Sequence, residues 1–429
     1  MYSSANPVYD VAVVGAGPAG MAAAVSASES GARVALFDDN SRPGGQIWRG
    51  GPSPHQEGST AWFERLGKSA VDRFHGARVF HIEEGALAAE TGDAVLQIAF
   101  HNLILATGAR ELFLPFPGWT LPNVLGAGGL QSLVKSGLPI KDKRVVVAGT
   151  GPLLLAVAAY LRDHGAKIVA LCEQASWIRY IRFGMSIPFL PGKMRQALRM
   201  SFDLVGIRTW ANCWPVAAEG KDRLESVHIS RSGRIEKLDC DYLACGFHLV
   251  PNVELARLAG CRLQDGFVEV DEFQRTSVPS VFCAGEPTGI GGVELSLLEG
   301  QIAGYTATHW EGAARRLLTR RANFRRSVGL LQKSFELRPE LKALAKPDTF
   351  VCRCEDVPMQ RMLEHDSWRA AKLHTRCGMG PCQGRVCGAA ARFIFGWELD
   401  SARPPVFPVK CSSLTAVGAG AADSNGGTQ

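Results

Sequence analysis

The 429-residue sequence lacks the local machinery of several common enzyme classes. It holds no GxxxxGKS/T loop, no HExxH pair and no GxSxG elbow, which removes P-loop phosphoryl transfer, zincin proteolysis and the commonest serine hydrolysis. The middle of the chain holds no CxxC pair and its Cys213 stands alone, so thioredoxin-reductase-type chemistry has no visible machinery there. The longest mostly apolar run, Val145 to Leu161, is broken by two glycines, a threonine and a proline, and reads as strand, turn and helix rather than a membrane span. Met1 to Tyr9 is short and polar, so no secretory signal is expected. Seven of the twelve cysteines (172, 213, 240, 245, 261, 283 and 411) are scattered without a disulfide-like spacing. They are expected to be small buried hydrophobes in a reducing cytoplasm.

What is present is an ordinary globular composition, 46% hydrophobic and 21% charged, with 47 glycines that favour tight nucleotide-binding turns. The length predicts two or three domains. The net charge of +6 is unevenly placed, because Glu311 to Lys346 carries ten Lys or Arg against three Glu. Its arginine pairs 315/316, 320/321 and 325/326 recur every five residues, which on a helix turns each pair by roughly 140°. That spreads charge around the cylinder and reads as a solvated connector able to dock on an acidic partner, not a nucleic-acid-reading face.

Tyr9 to Val14 predicts a strand, Met21 to Ser30 a helix and Arg33 to Phe37 a second strand, with Gly15-Ala16-Gly17-Pro18-Ala19-Gly20 between the first two. Gly15 permits the turn, Gly17 lets the backbone approach a pyrophosphate, and Gly20 lets helix and strand pack closely, with the helix N-terminus facing the phosphates. Asp38, eighteen residues after Gly20, is placed to accept hydrogen bonds from a ribose. Strand, turn, helix, strand and acid together predict an ADP-binding unit.

Three further segments follow in order: Arg42-Pro43-Gly44-Gly45-Gln46-Ile47, Leu103 to Arg110 with its Ala106-Thr107-Gly108, and Val281 to Glu286 ending in Gly285-Glu286. As a set they resemble the landmarks of flavoproteins with two dinucleotide-binding domains, the disulfide-reductase-like superfamily. The resemblance implies an α/β fold of two Rossmann-like domains and bound FAD. It places Gly45 and Gln46 by the flavin, Thr107 and Gly108 at the edge of the first domain, and Gly285 and Glu286 at the ribityl and pyrophosphate region. Glu286 stands where many relatives have Asp.

A second unit begins at Lys143. Val145 to Ala148 predicts a strand, Gly149-Thr150-Gly151-Pro152-Leu153-Leu154 a damaged fingerprint, Leu155 to Asp163 a helix and Lys167 to Leu171 another strand. Leu154 replaces the third glycine, and the position eighteen residues on is Cys172, with the acid one residue later at Glu173. Side chains alternate along a strand, so the shift is expected to turn Glu173 away from a ribose. The pattern keeps Gly149, Gly151 and Glu173 as candidate contacts, but favours a structural domain, or a site for another adenine nucleotide, over productive NAD(P) binding.

The remaining five cysteines lie within thirty-six residues, as Cys352-Arg353-Cys354-Glu355 and then Cys377-Gly378-Met379-Gly380-Pro381-Cys382-Gln383-Gly384-Arg385-Val386-Cys387. Spacing leaves a [2Fe-2S] centre, a structural zinc and bare thiols open, although the single residue between Cys352 and Cys354 is short for zinc. The pair of motifs resembles the small helical [2Fe-2S] domain of bacterioferritin-associated ferredoxin. That likeness implies Cys352, Cys354, Cys382 and Cys387 as ligands and Cys377 as the spare thiol.

Flavin architecture followed by this cysteine module resembles the alpha or large subunits of heteromeric amino-acid dehydrogenases, a family that includes opine oxidases, D-hydroxyproline dehydrogenases, dye-linked proline dehydrogenases, hydrogen cyanide synthase and sarcosine oxidase. The likeness spans roughly residues 8 to 410. It implies an FAD-binding domain at 8–120 and 246–310, a second nucleotide domain at 121–245, a basic helical connector at 311–347, a [2Fe-2S] domain at 348–400 and an extended, disordered tail at 401–429. It further implies an FAD-dependent electron-transfer subunit. Its partner would be a glycine-oxidase-like, FAD-containing beta subunit that oxidises the substrate C–N bond, with FMN as an interfacial flavin and a small third subunit completing the complex. The alternatives are a stand-alone NAD(P)H-dependent flavin reductase feeding its own cluster, and a non-enzymatic redox scaffold.

Overall fold

The computed structural model describes residues 8–52, 58–92, 94–179, 206–399 and 402–423. The chain forms two compact units, residues 1–110, 251–326 and 401–429 in the first and 111–250 and 327–400 in the second. The chain crosses between the units at 110/111 and 250/251. The cysteine module shares its unit with the second nucleotide domain, and the basic segment divides at 326/327. Among the described residues no helix is long and apolar enough to cross a membrane.

The first unit is built on a seven-stranded sheet in the order Val71–His75, Val34–Asp38, Val8–Val14, Ala94–Leu105, Ala86–Thr91, Ala77–Glu83, with Val281–Cys283 also paired to Ala94–Leu105. Val8–Val14 is parallel to both of its neighbours. A strand covered on both faces reads as a continuous apolar run, which accounts for Val11-Ala12-Val13-Val14, all buried. Alternate side chains serve opposite cores: Ala12, Val14, Ala35 and Phe37 on one face, Val11, Val13, Val34 and Leu36 on the other. The second face is covered by the helix Pro18–Glu29, whose small residues let the helix Gly292–Ala307 approach it closely. A Cβ at Gly300 would lie 2.1 Å from the Ala19 carbonyl oxygen.

The second unit has a five-stranded parallel sheet in the order Thr209–Ala211, Lys167–Glu173, Arg144–Gly149, Tyr242–Gly246, Val124–Gly126, with a separate three-stranded antiparallel sheet from Cys213 to Asp239. Its helix Pro152–Asp163 buries Leu154, Val157, Ala158 and Leu161. The cysteine module keeps a small core of its own, with Val351, Val357, Met359, Met362 and Ala371 around Cys352, Cys377 and Cys387. Trp119 Nε1–H donates to the Phe350 carbonyl oxygen at 2.6 Å, tying the module to the nucleotide domain of the same unit.

Three expectations change. The tail is not disordered throughout: Cys411–Asp423 is a helix, and Ser413 Oγ–H donates to Glu90 Oε1 at 2.6 Å. Residues 424–429 of that tail lie outside the described residues. The basic segment is a helix, Glu311–Ser334, but it is not solvated all round, because Arg321 and Arg325 turn inward onto the fully buried Glu299. Six of the seven scattered cysteines are buried as expected, whereas Cys411 is exposed.

Candidate flavin and iron–sulfur sites

In the first glycine loop the helix packs closely on the strand. A Cβ at Gly20 would sit 1.7 Å from the Gly15 carbonyl oxygen, so only glycine lets helix and strand come this close. Gly15 and Gly17 are half-buried, and Pro18 occupies the first helical turn, where its missing N–H costs nothing. Gly45 packs against the loop, its would-be Cβ 3.0 Å from Gly17 Cα. Ala19 meets Gly285 across the helix start, which brings the late motif to the fingerprint.

Asp38 is buried and fixed from both sides. Its Oδ2 accepts from the Ala16 N–H at 2.5 Å, and its Oδ1 accepts from the Asn40 N–H at 2.8 Å and Asn40 Nδ2 at 2.7 Å. Arg49 Nη2 donates to Asn40 Oδ1 and Gln46 Oε1, both at 3.1 Å, so Gln46 belongs to the same polar group. Asn40 and Arg49 were not singled out from sequence; their only signal is proximity to Asp38 and to the Gly44-Gly45-Gln46 turn. Thr107 Oγ1–H donates to the Asn252 carbonyl oxygen at 2.5 Å and Asn252 Nδ2 returns a bond to the Thr107 carbonyl at 2.9 Å, so Thr107 and Gly108 are held against the returning chain.

Glu286 Oε1 accepts from the Gly292 N–H at 3.0 Å, at the start of helix Gly292–Ala307, while its buried Oε2 has no hydrogen-bond partner among the described residues. Burial pushes its carboxyl up to about 7. An orphaned buried acceptor fits a sugar hydroxyl, and with the glycine cradle it makes these residues a fit for FAD. The neighbouring loop is braced by Glu299, whose Oε2 accepts from the Gly285 N–H at 3.1 Å and Thr288 Oγ1–H at 3.0 Å. Its Oε1 takes Arg321 Nε at 3.2 Å and Arg325 Nε at 2.9 Å.

The second loop differs. The strand Lys167–Glu173 contains a bulge between Ile168 and Ala170 that absorbs the extra residue, so Glu173 pairs with Gly149 in the sheet register. Glu173 is therefore not turned away, correcting the expectation from alternation. Its Oε2 accepts from the Gly151 N–H at 2.7 Å, and its Oε1 accepts from Thr150 Oγ1–H and the Ala175 N–H, both at 2.8 Å. Burial raises its carboxyl to about 7. Leu154, standing for the third glycine, fills the core beside Gly246 and Ala127.

All five clustered cysteines converge. The sulfurs of Cys352, Cys377 and Cys387 lie within 4.8 Å of one another and are buried. Cys382 hydrogen-bonds Cys387 and Cys354, so Cys354 and Cys382 extend the group toward the surface. Backbone N–H groups of Gly378 and Glu355 reach the Cys352 sulfur, that of Cys382 reaches Cys354, and those of Val386 and Gly384 reach Cys382. Thiol donation from Cys377 and then Cys387 pulls Cys352 down to about 2, and donation from Cys387 pulls Cys382 down to about 5. The glycines let this loop close: a Cβ at Gly380 would lie 2.3 Å from Cys354 Cβ, and one at Gly378 2.6 Å from Trp368. Convergent thiols with amide donors aimed at their sulfurs suit an iron–sulfur centre.

Residues 9–312 match the family described as pyridine nucleotide-disulphide oxidoreductase. An opine oxidase subunit of Rhizobium meliloti is 30% identical over 96% of this chain and 88% of that protein. Hydrogen cyanide synthase subunit HcnB of Pseudomonas protegens is 30% identical over 90% of each chain. The crystal structure of L-proline dehydrogenase from P. horikoshii superposes with a TM-score of 0.71 at 20% identity, covering 95% of this chain and 79% of the other. The chain belongs to the pyridine nucleotide-disulphide oxidoreductase family, alongside these subunits of opine oxidase and hydrogen cyanide synthase, and is an FAD-dependent oxidoreductase.

Proposed function

We propose that this chain is the electron-transfer subunit of a heteromeric flavin dehydrogenase that oxidises the C–N bond of an amino acid, imino acid or opine in a partner subunit. The observation that carries the reading is the joint presence of an FAD cradle and a convergent five-cysteine module, in a chain matched over nearly its whole length by proteins named as subunits of opine oxidase and hydrogen cyanide synthase. Bound FAD would supply one- and two-electron redox chemistry, and a [2Fe-2S] centre a one-electron relay. The chain's own residues do the holding. The loop Gly15–Gly20 receives the pyrophosphate at the start of helix Pro18–Glu29, Asp38 faces the adenosine ribose, Glu286 takes a ribityl hydroxyl, and Gly45 and Gln46 border the flavin. Cys352, Cys354, Cys382 and Cys387 hold the cluster, with Cys377 against them as a thiol.

The partner in this reading is a glycine-oxidase-like beta subunit with its own FAD, and FMN sits at the interface between the two. The cytoplasm is the compartment. Purified alone, the chain should show flavin and iron–sulfur absorbance yet fail to reduce an artificial dye with imino acids, opines or glycine. Adding the co-purifying partner should restore dye reduction. Substantial dehydrogenase activity from the isolated chain would sink the proposal.

A further inference from the structure

The two glycine loops have the same sequence frame but opposite states of satisfaction. In the first, Gly15 and Gly17 are half-buried and Gly17 has φ −71°. In the second, Gly149, Thr150 and Gly151 are all buried, and Gly151 has φ +87°, so the peptide plane leading into its helix is turned relative to its counterpart. The cause lies in the acid. Asp38 reaches the second loop residue, Ala16, whereas Glu173, one methylene longer, reaches the third and takes the Gly151 N–H at 2.7 Å. The amide that would face a phosphate is thereby spent on a carboxylate of the chain itself.

Above this loop runs the segment that leads from helix Glu311–Ser334 into the cysteine module. Phe335 is 2% exposed, and its ring lies 3.9 Å from where a Gly151 Cβ would stand. Thr150 Oγ1, whose proton goes to Glu173, lies 3.4 Å from the Phe335 carbonyl oxygen, and His248 bonds the Phe335 backbone. The fully buried Gln174 treats the segment as an extra strand. Its Nε2 donates to the Glu336 carbonyl at 3.2 Å and to Thr150 Oγ1 at 2.9 Å, and its Oε1 accepts from the Arg338 N–H at 3.1 Å. Arg338 then bonds Asn212 and lies 4.9 Å over the Trp214 ring, while Leu341 and Leu344 enter the core of the domain.

We propose that the second dinucleotide-binding domain is closed to nucleotides by residues 335–338, which seat as a strap on its glycine loop, and that the loop serves as the socket anchoring the cysteine module's lead-in segment. A nicotinamide or adenine nucleotide would find the Gly151 N–H already given to Glu173 and the Phe335 ring in contact range of Gly151. The domain keeps its fold because the strap supplies the polar partners and the apolar cover a ligand would otherwise provide. This closure concerns the second unit alone, and is measured on the chain without a partner, so its failure is separable from that of the dehydrogenase reading.

The test uses the full chain with its flavin bound. Equilibrium dialysis against ADP and against NADH should give no saturable binding up to about 1 mM. Hydrogen exchange should show the amides of 150–154 and of 335–338 opening together, and Arg338→Ala should speed both sets by about tenfold or more. Phe335→Leu, which keeps an apolar cover, should speed both sets less. Saturable ADP or NADH binding by the unmodified chain overturns the closure. So does an Arg338→Ala or Phe335→Leu variant whose strap amides exchange faster while those of 150–154 do not change.

Discussion

Glu299 offers the sharpest test of how the flavin loop is held. Its carboxylate is 0% exposed and accepts from Gly285, Thr288, Arg321 and Arg325 at 2.7 to 3.2 Å. Replacing it with Ala leaves two guanidinium groups and two neutral donors without their shared acceptor. Removing one partner of a buried charge pair costs about 3–5 kcal/mol. Because Arg321 and Arg325 keep 14% and 32% side-chain exposure, water recovers part of this. The lower end, about 3 kcal/mol, is therefore expected, and for a unit of this size that lowers Tm by about 6–12 °C. Thermal unfolding followed by circular dichroism, with flavin fluorescence recorded in the same scan, should show Glu299→Ala melting earlier and releasing flavin before the main transition. Glu299→Gln, which keeps one oxygen acceptor, should fall between. A Glu299→Ala protein that melts within about 1 °C of the parent and holds flavin equally well would refute the bracing role.

Gly20→Ala places a Cβ 1.7 Å from a backbone oxygen, so the loop must deform at about 3 kcal/mol, and the purified variant should lose most of its flavin absorbance. Glu173 has a folded pKa of about 7 against an ordinary 4.5. A raised carboxyl pKa gives stability that is intact below the unfolded value and is lost as pH rises through the folded one, here up to about 3 kcal/mol between pH 4.5 and 7. Urea denaturation of the second unit across that window should show this decline in the parent and a flatter profile in Glu173→Gln. For the cysteines, Cys377→Ala should keep full iron content, whereas Ala at 352, 354, 382 or 387 should lose it; the reverse behaviour at 377 and 387 would exchange their roles.

The first fingerprint was legible because its logic is local. Gly15, Gly20 and Asp38 act on one another within a single strand-helix-strand unit, so their spacing carries their geometry. The second was misread at Glu173 because nothing in Lys167 to Leu171, a run without glycine or proline, announces the bulge between Ile168 and Ala170 that restores its register. The strap at 335–338 was hidden inside a basic connector, since its contacts to Thr150 and Gln174 bridge more than 150 residues. The inward arginines did leave a trace. Read as adjacent pairs they scatter around the helix, but Arg321 and Arg325 stand four apart and share one face, and that face is the one Glu299 receives.

Whether electrons reach this chain from a partner's oxidation of a C–N bond, and not from a nicotinamide nucleotide, is decided by anaerobic mixing of the flavin- and cluster-loaded protein. Absorbance of the flavin and the electron paramagnetic resonance signal of a reduced [2Fe-2S] cluster should stay unchanged with NADH or NADPH. Both should respond when the partner and its amino- or imino-acid substrate are added together. Rapid flavin bleaching and a cluster signal with NADH or NADPH alone would show that the nucleotide, and not the partner, is the electron source.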